Sequence, residues 1–186
     1  MIVLVRRLLL FAVLLATITA CSPVGEQRSA SPADTTPAPS RQVSDPLDAH
    51  GVAACDLLAP AALQHAGMEP GSATDTSSAS ATGCLWRSSD HAETLEFVLN
   101  LGMPVEVMDA SVGVVPDYVA GELRGFPSVR EGAIDSSICT TYVAIASTQV
   151  FSTEVSSRAE SPALAACDRA ELAALAALDA LAARSR

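Results

Sequence analysis

The sequence predicts an α+β domain: an antiparallel sheet covered on one face by N-terminal and C-terminal helices and stapled by two disulfides. Three observations carry that expectation. Leu95, Phe97, Leu99 and Leu101 alternate with polar or smaller neighbours, the period of a half-buried strand. Helix-like segments with proline near their starts bracket this strand-rich middle. Cys55, Cys84, Cys139 and Cys167 form an even set within the same stretch, residues 47–186.

Taken in chain order, "CDLLAPAALQHAG" (55–67) reads as a helical turn, then a helix with Pro60 in its first turn and Gly67 as its stop. "EPGSATDTSSASATG" (69–83) reads as a mobile polar loop. "ETLEFVLNLGM" (93–103) is the alternating strand, and residues 104–120 suggest an irregular or short helical crossover. "ELRGFPSVREG" and "SSICTTYVAIAST" read as strands, and "QVFSTEVSS" completes a hairpin with the latter. Ser161 is expected to cap a last helix with Pro162 at its first position, running to about Ala183. Leu164, Cys167, Leu175, Leu178 and Ala182 would form its buried stripe, flanked by Leu172 and Leu181.

The segment before the domain has a different character. Arg6-Arg7 precede an apolar run from Leu8 to about Thr19, the layout of an export signal over residues 1–20. The run is about 12 residues, whereas a helix crossing the hydrocarbon needs about 20. Ile18-Thr19-Ala20-Cys21 then resembles the bacterial lipobox. That resemblance implies cleavage before Cys21, a diacylglycerol thioether on its sulfur and palmitate-type acylation. Two or three such chains, at ~0.8 kcal/mol per buried CH₂, hold a protein on a bilayer almost permanently. Residues 21–46 supply the acylated cysteine and a tether rich in Pro, Ser and Thr with no periodic apolar face. Such a coil spans roughly 30 Å on average.

Charge narrows the partners. The chain carries 11 basic residues, all arginine, against 21 Asp and Glu, a formal net charge of −10. Loss of Arg6 and Arg7 with a leader would take the net charge to −12. A surface of that sign repels phosphate backbones, and one Trp and two Tyr offer few stacking platforms, so nucleic acid is excluded as a partner.

The four domain cysteines allow three pairings. Cys55–Cys84 with Cys139–Cys167 is favoured, because each bond joins an expected helix to a neighbouring strand. No C-x-x-C pair offers a zinc knuckle or a redox dithiol. "ACDLLAPAAL", "CLW", "LRGFPSV", "SSICTTYVAI" and "ACDRAELAALAALDAL" follow in order from Ala54 to Leu181, within a resemblance that covers residues 50–183. Together with the lipobox they resemble the actinobacterial envelope lipoproteins grouped as domain of unknown function 3558. The matching positions are Cys55, Asp56, Leu57, Leu58, Cys84, Trp86, Cys139, Cys167, Asp168 and Arg169. The resemblance implies residence on the outer side of the cell membrane, and it lends no catalytic residue.

No G-x-S-x-G, H-E-x-x-H, P-loop or G-x-G-x-x-G occurs, and neither a metal site nor a cofactor is expected. His50 should be solvated beside the tether, and His65 suits the C-terminal end of a helix dipole. His91, next to Asp90, is the only histidine beside an acid and the only anchor for a Ser–His–Asp site. Trp86 is expected to pack on a disulfide, with a platform at a pocket mouth as the alternative. Asp56, Asp168 and Arg169 suggest an Asp–Arg pair pinning two helix ends, with ligand binding second. Asp168 and Glu171 also fit either a rim ion pair or a carboxylate in a pocket. These features point to a non-catalytic, lipid-anchored envelope module binding an unknown protein or small ligand. The alternatives are an unmotifed envelope hydrolase and an acyl-chain carrier.

Overall fold

The computed structural model describes residues 41–110, 112–114, 117–132, 137–158 and 166–186. Cys21, most of the tether and the Ser161-Pro162 cap lie outside the described residues. A 3₁₀ turn at Ala54–Asp56 leads into α1 (Pro60–His65), which starts on its proline and is followed by Gly67 at φ 80°. Then come β1 (Thr74–Asp75), β2 (Ala81–Arg87), β3 (Glu93–Asn100), α2 (Val105–Ala110), β4 (Tyr118–Leu123), β5 (Phe126–Glu131), β6 (Ile138–Ala146), β7 (Gln149–Ser157) and α3 (Ala166–Arg184).

The strands form one seven-stranded antiparallel sheet in the order β1-β2-β3-β7-β6-β5-β4. After β3 the chain crosses to the far edge through α2, then returns strand by strand until β7 pairs with β3. The ambiguous 104–120 segment is this crossover. Two stretches differ from expectation. "ELRGFPSVREG" is not one strand: Arg124 and Gly125, at φ 53° and 83°, turn the chain back between β4 and β5. The polar stretch 69–83 holds a 3₁₀ turn at Pro70–Ser72 and the short β1, which pairs with β2. Gly83 permits this, since a Cβ there would lie 2.4 Å from the Thr76 hydroxyl oxygen.

Strand parity divides the core. On one face Trp86, Leu95, Phe97, Leu99, Val143, Phe151 and Val155 are buried with Leu57, Leu58 and Leu63 from the N-terminal turns and with the inner side of α3. Phe97 and Phe151 stack with ring centroids 5.3 Å apart. On the other face Val105 and Met108 of α2 pack on Val129, Ala144 and Val150. The expectation that helices cover one face alone therefore needs amending, because the crossover puts α2 on the second face. Beyond α2 that face carries a cross-strand row, Leu85–Glu96–Glu154–Thr140–Glu131–Tyr118. Thr140 donates a hydrogen bond to Glu154 (3.2 Å) and Tyr142 to Glu131 (2.9 Å). Burial, and then Glu131, push the Tyr142 hydroxyl pKa up, so it remains a donor.

The buried side of α3 is also not the leucine stripe. Ala170, Ala173, Ala174 and Ala177 are buried with Cys167, Leu178 and Leu181, while Leu172 is exposed and Leu175 half-buried. The contact face is turned by roughly a quarter of a helical revolution from the one leucines alone would choose. Small side chains let the helix seat close to β6 and β7. The buried Thr153 hydroxyl consequently donates to the Ala170 carbonyl across that contact (2.8 Å).

Cys55 is bonded to Cys84 and Cys139 to Cys167, the pairing favoured from sequence. One bond ties the turn before α1 to β2, and the other ties β6 to the first described turn of α3. With sequence separations of 29 and 28, loop-closure entropy makes each worth about 3–4 kcal/mol. Cys139→Ala combined with Cys167→Ala is expected to lower stability by about that amount in urea denaturation under oxidising conditions. A loss below about 1 kcal/mol would show that the alanine face of α3 holds the helix unaided.

Candidate functional site

The row of inward-facing residues through Phe97 runs from the core to an open cleft. Cys84, Phe97, Thr153, Thr141, Arg130 and Val119 are successive cross-strand neighbours from β2 to β4. The helix α3 lies over β6 and β7. Thr153, under the helix, is satisfied by Ala170. Thr141, one strand further out, is 3% exposed, and its hydroxyl has no hydrogen-bond partner. Arg130, the next residue outward, keeps its Nε buried and unpartnered and makes no ion pair among the described residues.

A cleft of about 130 Å³ opens where α3 stops covering the sheet, lined by residues 119–123 of β4 with Ser128, Arg130, Thr141 and Glu171. Gly121 keeps its floor low: a Cβ there would sit 3.4 Å from the Ser128 hydroxyl oxygen. Arg124, in the β4–β5 turn, reaches Asp179 of α3 at 3.2 Å and bridges the cleft's two walls at one end. The hairpin is braced separately by Arg41, whose guanidinium donates to the carbonyls of Gly121 (2.8 Å) and Ser128 (2.9 Å) and pairs with Asp109 of α2. Leaving a buried donor or acceptor unpaired costs about 1–3 kcal/mol. Thr141 and Arg130 place two such atoms side by side at this cleft, and Thr82 Oγ1 and Arg169 Nε are the other buried side-chain atoms without a partner among the described residues.

Of the residues singled out from sequence, Trp86 is 1% exposed in the main core with Cys84 two residues before it, so it offers no platform. The expected Asp–Arg pair does not form. Arg169 is buried and binds Glu93, at the start of β3, through two bonds of 2.5 and 2.8 Å. Asp56 and Asp168 are exposed and make no ion pair among the described residues. The rotation of α3 explains this: it turns Arg169 inward and leaves Asp168 on the solvent side. Glu171 lines the cleft but is exposed rather than desolvated. His50 lies 2.5 Å from Asp48 at the surface. His65 is exposed in the last turn of α1.

His91 is exposed, sits in a turn at φ 58°, and its ring makes no hydrogen bond among the described residues. Its neighbour Asp90 accepts instead from the Ser88 hydroxyl (2.6 Å) and the Ala92 amide (3.1 Å). Those bonds, led by Ser88, hold the Asp90 carboxyl below its usual range. Among the described residues no group of three or more His, Cys, Asp and Glu is placed to hold a metal. The cleft is less than half the ~300 Å³ at the lower end of small-molecule pockets, and its floor is polar, which gives an acyl chain no support. Sequence reasoning passed over Arg130, Ser128 and Thr141. The available signal was an arginine two residues from a serine on the inward parity of a strand.

The family described as "Protein of unknown function (DUF3558)" matches residues 16–179. No curated protein and no solved structure matches the chain.

Two arginines on the same sheet face should respond oppositely to substitution. Arg169 holds the Glu93 carboxyl below its usual range, against the opposing effect of burial. A depressed carboxyl adds stability that is complete above the unfolded value, about 4.3, and drains away as pH falls through the folded value. Glu93→Gln, which leaves Arg169 buried without a counter-charge, is expected to cost about 3 kcal/mol at pH 7. Its stability should then fall less steeply than the wild type's below about pH 4.5. Parallel acid profiles for the two proteins would remove the pair from the stability account. Arg130→Met, by contrast, removes an unpartnered group and is expected to change urea stability by less than about 1 kcal/mol, or to raise it. A loss above about 2 kcal/mol would mean that Arg130 is structural.

Proposed function

The chain belongs to the DUF3558 family of proteins of unknown function, and we propose that it is a lipid-anchored module of the actinobacterial cell envelope that binds a partner or ligand without chemistry of its own. The observation that carries this reading is the arithmetic of its cysteines. Of the 5 in the chain, four are consumed in two intradomain disulfides, and the odd one is Cys21, at the end of an apolar leader. Disulfides of this kind persist in oxidising compartments, which favours export. A lipobox cysteine supplies a reason for the unpaired fifth thiol.

The domain suits such a role. Its acidic surface disfavours nucleic acid and anionic headgroups, so the acyl chains would provide the membrane attachment. Arg41 clamps the start of the described chain to α2 and to the β4–β5 hairpin, close to the cleft. The cleft, with its unsatisfied Arg130 and Thr141, is the surface best suited to recognition.

Intact-mass measurement on protein extracted from membranes of the native host tests the proposal. The expected species lacks residues 1–20, carries a diacylglycerol thioether and a further acyl group, and is four hydrogens lighter for its two disulfides. Cys21→Ser should lose the lipid mass and leave the membrane fraction. Recovery of wild-type protein with residues 1–20 retained and Cys21 unmodified would overturn the anchoring.

A further inference from the structure

We propose that the cleft between α3 and the β4–β5 hairpin binds the ammonium–carboxylate group of an α-amino acid, with the carboxylate on Arg130 and Thr141 and the ammonium against Glu171 and Glu122. The inference rests on the binding-module reading above and names the class of ligand. The lining carries both signs of charge at different depths. Arg130 and Thr141 sit on the floor, one with a buried unpartnered Nε and the other with an unpartnered hydroxyl on a side chain almost fully enclosed. Glu122 and Glu171 line the same cleft and are exposed. Arg130, Glu122 and Glu171 make no ion pair among the described residues, so all three charged groups remain available to a ligand.

Each simpler ligand meets an opposing charge. A plain anion satisfies the guanidinium but faces two carboxylates. A plain cation suits the carboxylates but faces the guanidinium. An apolar chain would bury Arg130 and Thr141 with no partner at all. A zwitterion with its charges on adjacent carbons answers the floor and the rim together. The geometry of a guanidinium, which offers parallel N–H donors to a carboxylate, places the acid end on the floor. The cleft, about 130 Å³, admits a small head group only. Gly121 preserves that space, and any side chain there would lower it.

The test is titration of the full chain in detergent micelles, read by amide chemical shifts of Gly121, Arg130 and Thr141. Alanine and glycine are expected to saturate with a Kd on the order of 1 mM. Acetate and methylammonium should each bind at least about tenfold more weakly, as should glycylglycine, whose charges are farther apart. Arg130→Gln should weaken alanine by about tenfold or more, while Glu171→Gln, at an exposed site that folding does not depend on, should weaken alanine and leave acetate unchanged or tighter. Acetate binding as tightly as alanine, or no saturable shift with either amino acid, overturns the proposal. The two readings fail separately. An acylated Cys21 without amino-acid binding sinks the ligand assignment alone, and saturable binding by a chain with a bare Cys21 sinks the anchoring alone.

Discussion

The close seat of α3 on β6 and β7 is the contact from which the rest of the domain follows. Alanines at 170, 173, 174 and 177 keep the helix low on the sheet, and the Ala170 carbonyl is brought near enough to accept from Thr153. The Cys139–Cys167 bond fixes the same contact covalently at one end. A helix seated that low covers a narrow band of sheet. The strands on one side of it, β5 and β4, run out from underneath, where Val119, Gly121, Ser128 and Arg130 line a cleft while Leu123 still joins the core. The position of the cleft is thus a consequence of helix packing and needs no dedicated loop.

Polar groups along that face divide by their distance from the helix. Arg169, on α3 itself, is desolvated and held by Glu93, with Ser157 donating a further bond to the same carboxylate (3.0 Å). Thr153 is satisfied by helix backbone. Thr141 and Arg130, farther out, have no such provision, although Arg169 too keeps its Nε without a partner. A chain with 21 acids had ample means to pair an arginine, and it did so for Arg41, Arg124 and Arg169. Arg87, Arg130, Arg158, Arg184 and Arg186 make no ion pair among the described residues, and of these Arg130 is the one that lines the cleft.

The N-terminal turns and the crossover complete the scaffold from opposite sides. The Cys55–Cys84 bond holds the turn before α1 against β2, where Leu57 and Leu58 close the core over Trp86 and Phe97. The crossover after β3 carries α2 across the second face, and Val105 and Met108 cover Val129, Ala144 and Val150. Arg41 then connects α2 to the hairpin that walls the cleft. The hairpin therefore has a brace on each face, Arg41 on one and the Arg124–Asp179 pair on the other.

Much of this was legible in residues alone. The alternation of Leu95, Phe97 and Leu99 fixed a strand and its buried face, because side-chain direction in a strand repeats every two residues whatever lies around it. Pro60 and Gly67 bounded α1 through backbone geometry, and the even set of domain cysteines announced their pairing. Other features depend on distances between elements remote in sequence. Which side of α3 faces the sheet is decided by how closely two backbones can approach, and leucine periodicity carries no information about that. Arg169 could be assigned a partner only once Glu93 was placed beside it, and the cleft exists only where a helix of given width ends over a sheet of given breadth. Local steric and hydrophobic rules determined β3, the bounds of α1 and the presence of two staples, but not β1 or the turn between β4 and β5. Tertiary packing alone decided which charges were paired, and that Arg130 came to line the cleft without an ion pair among the described residues.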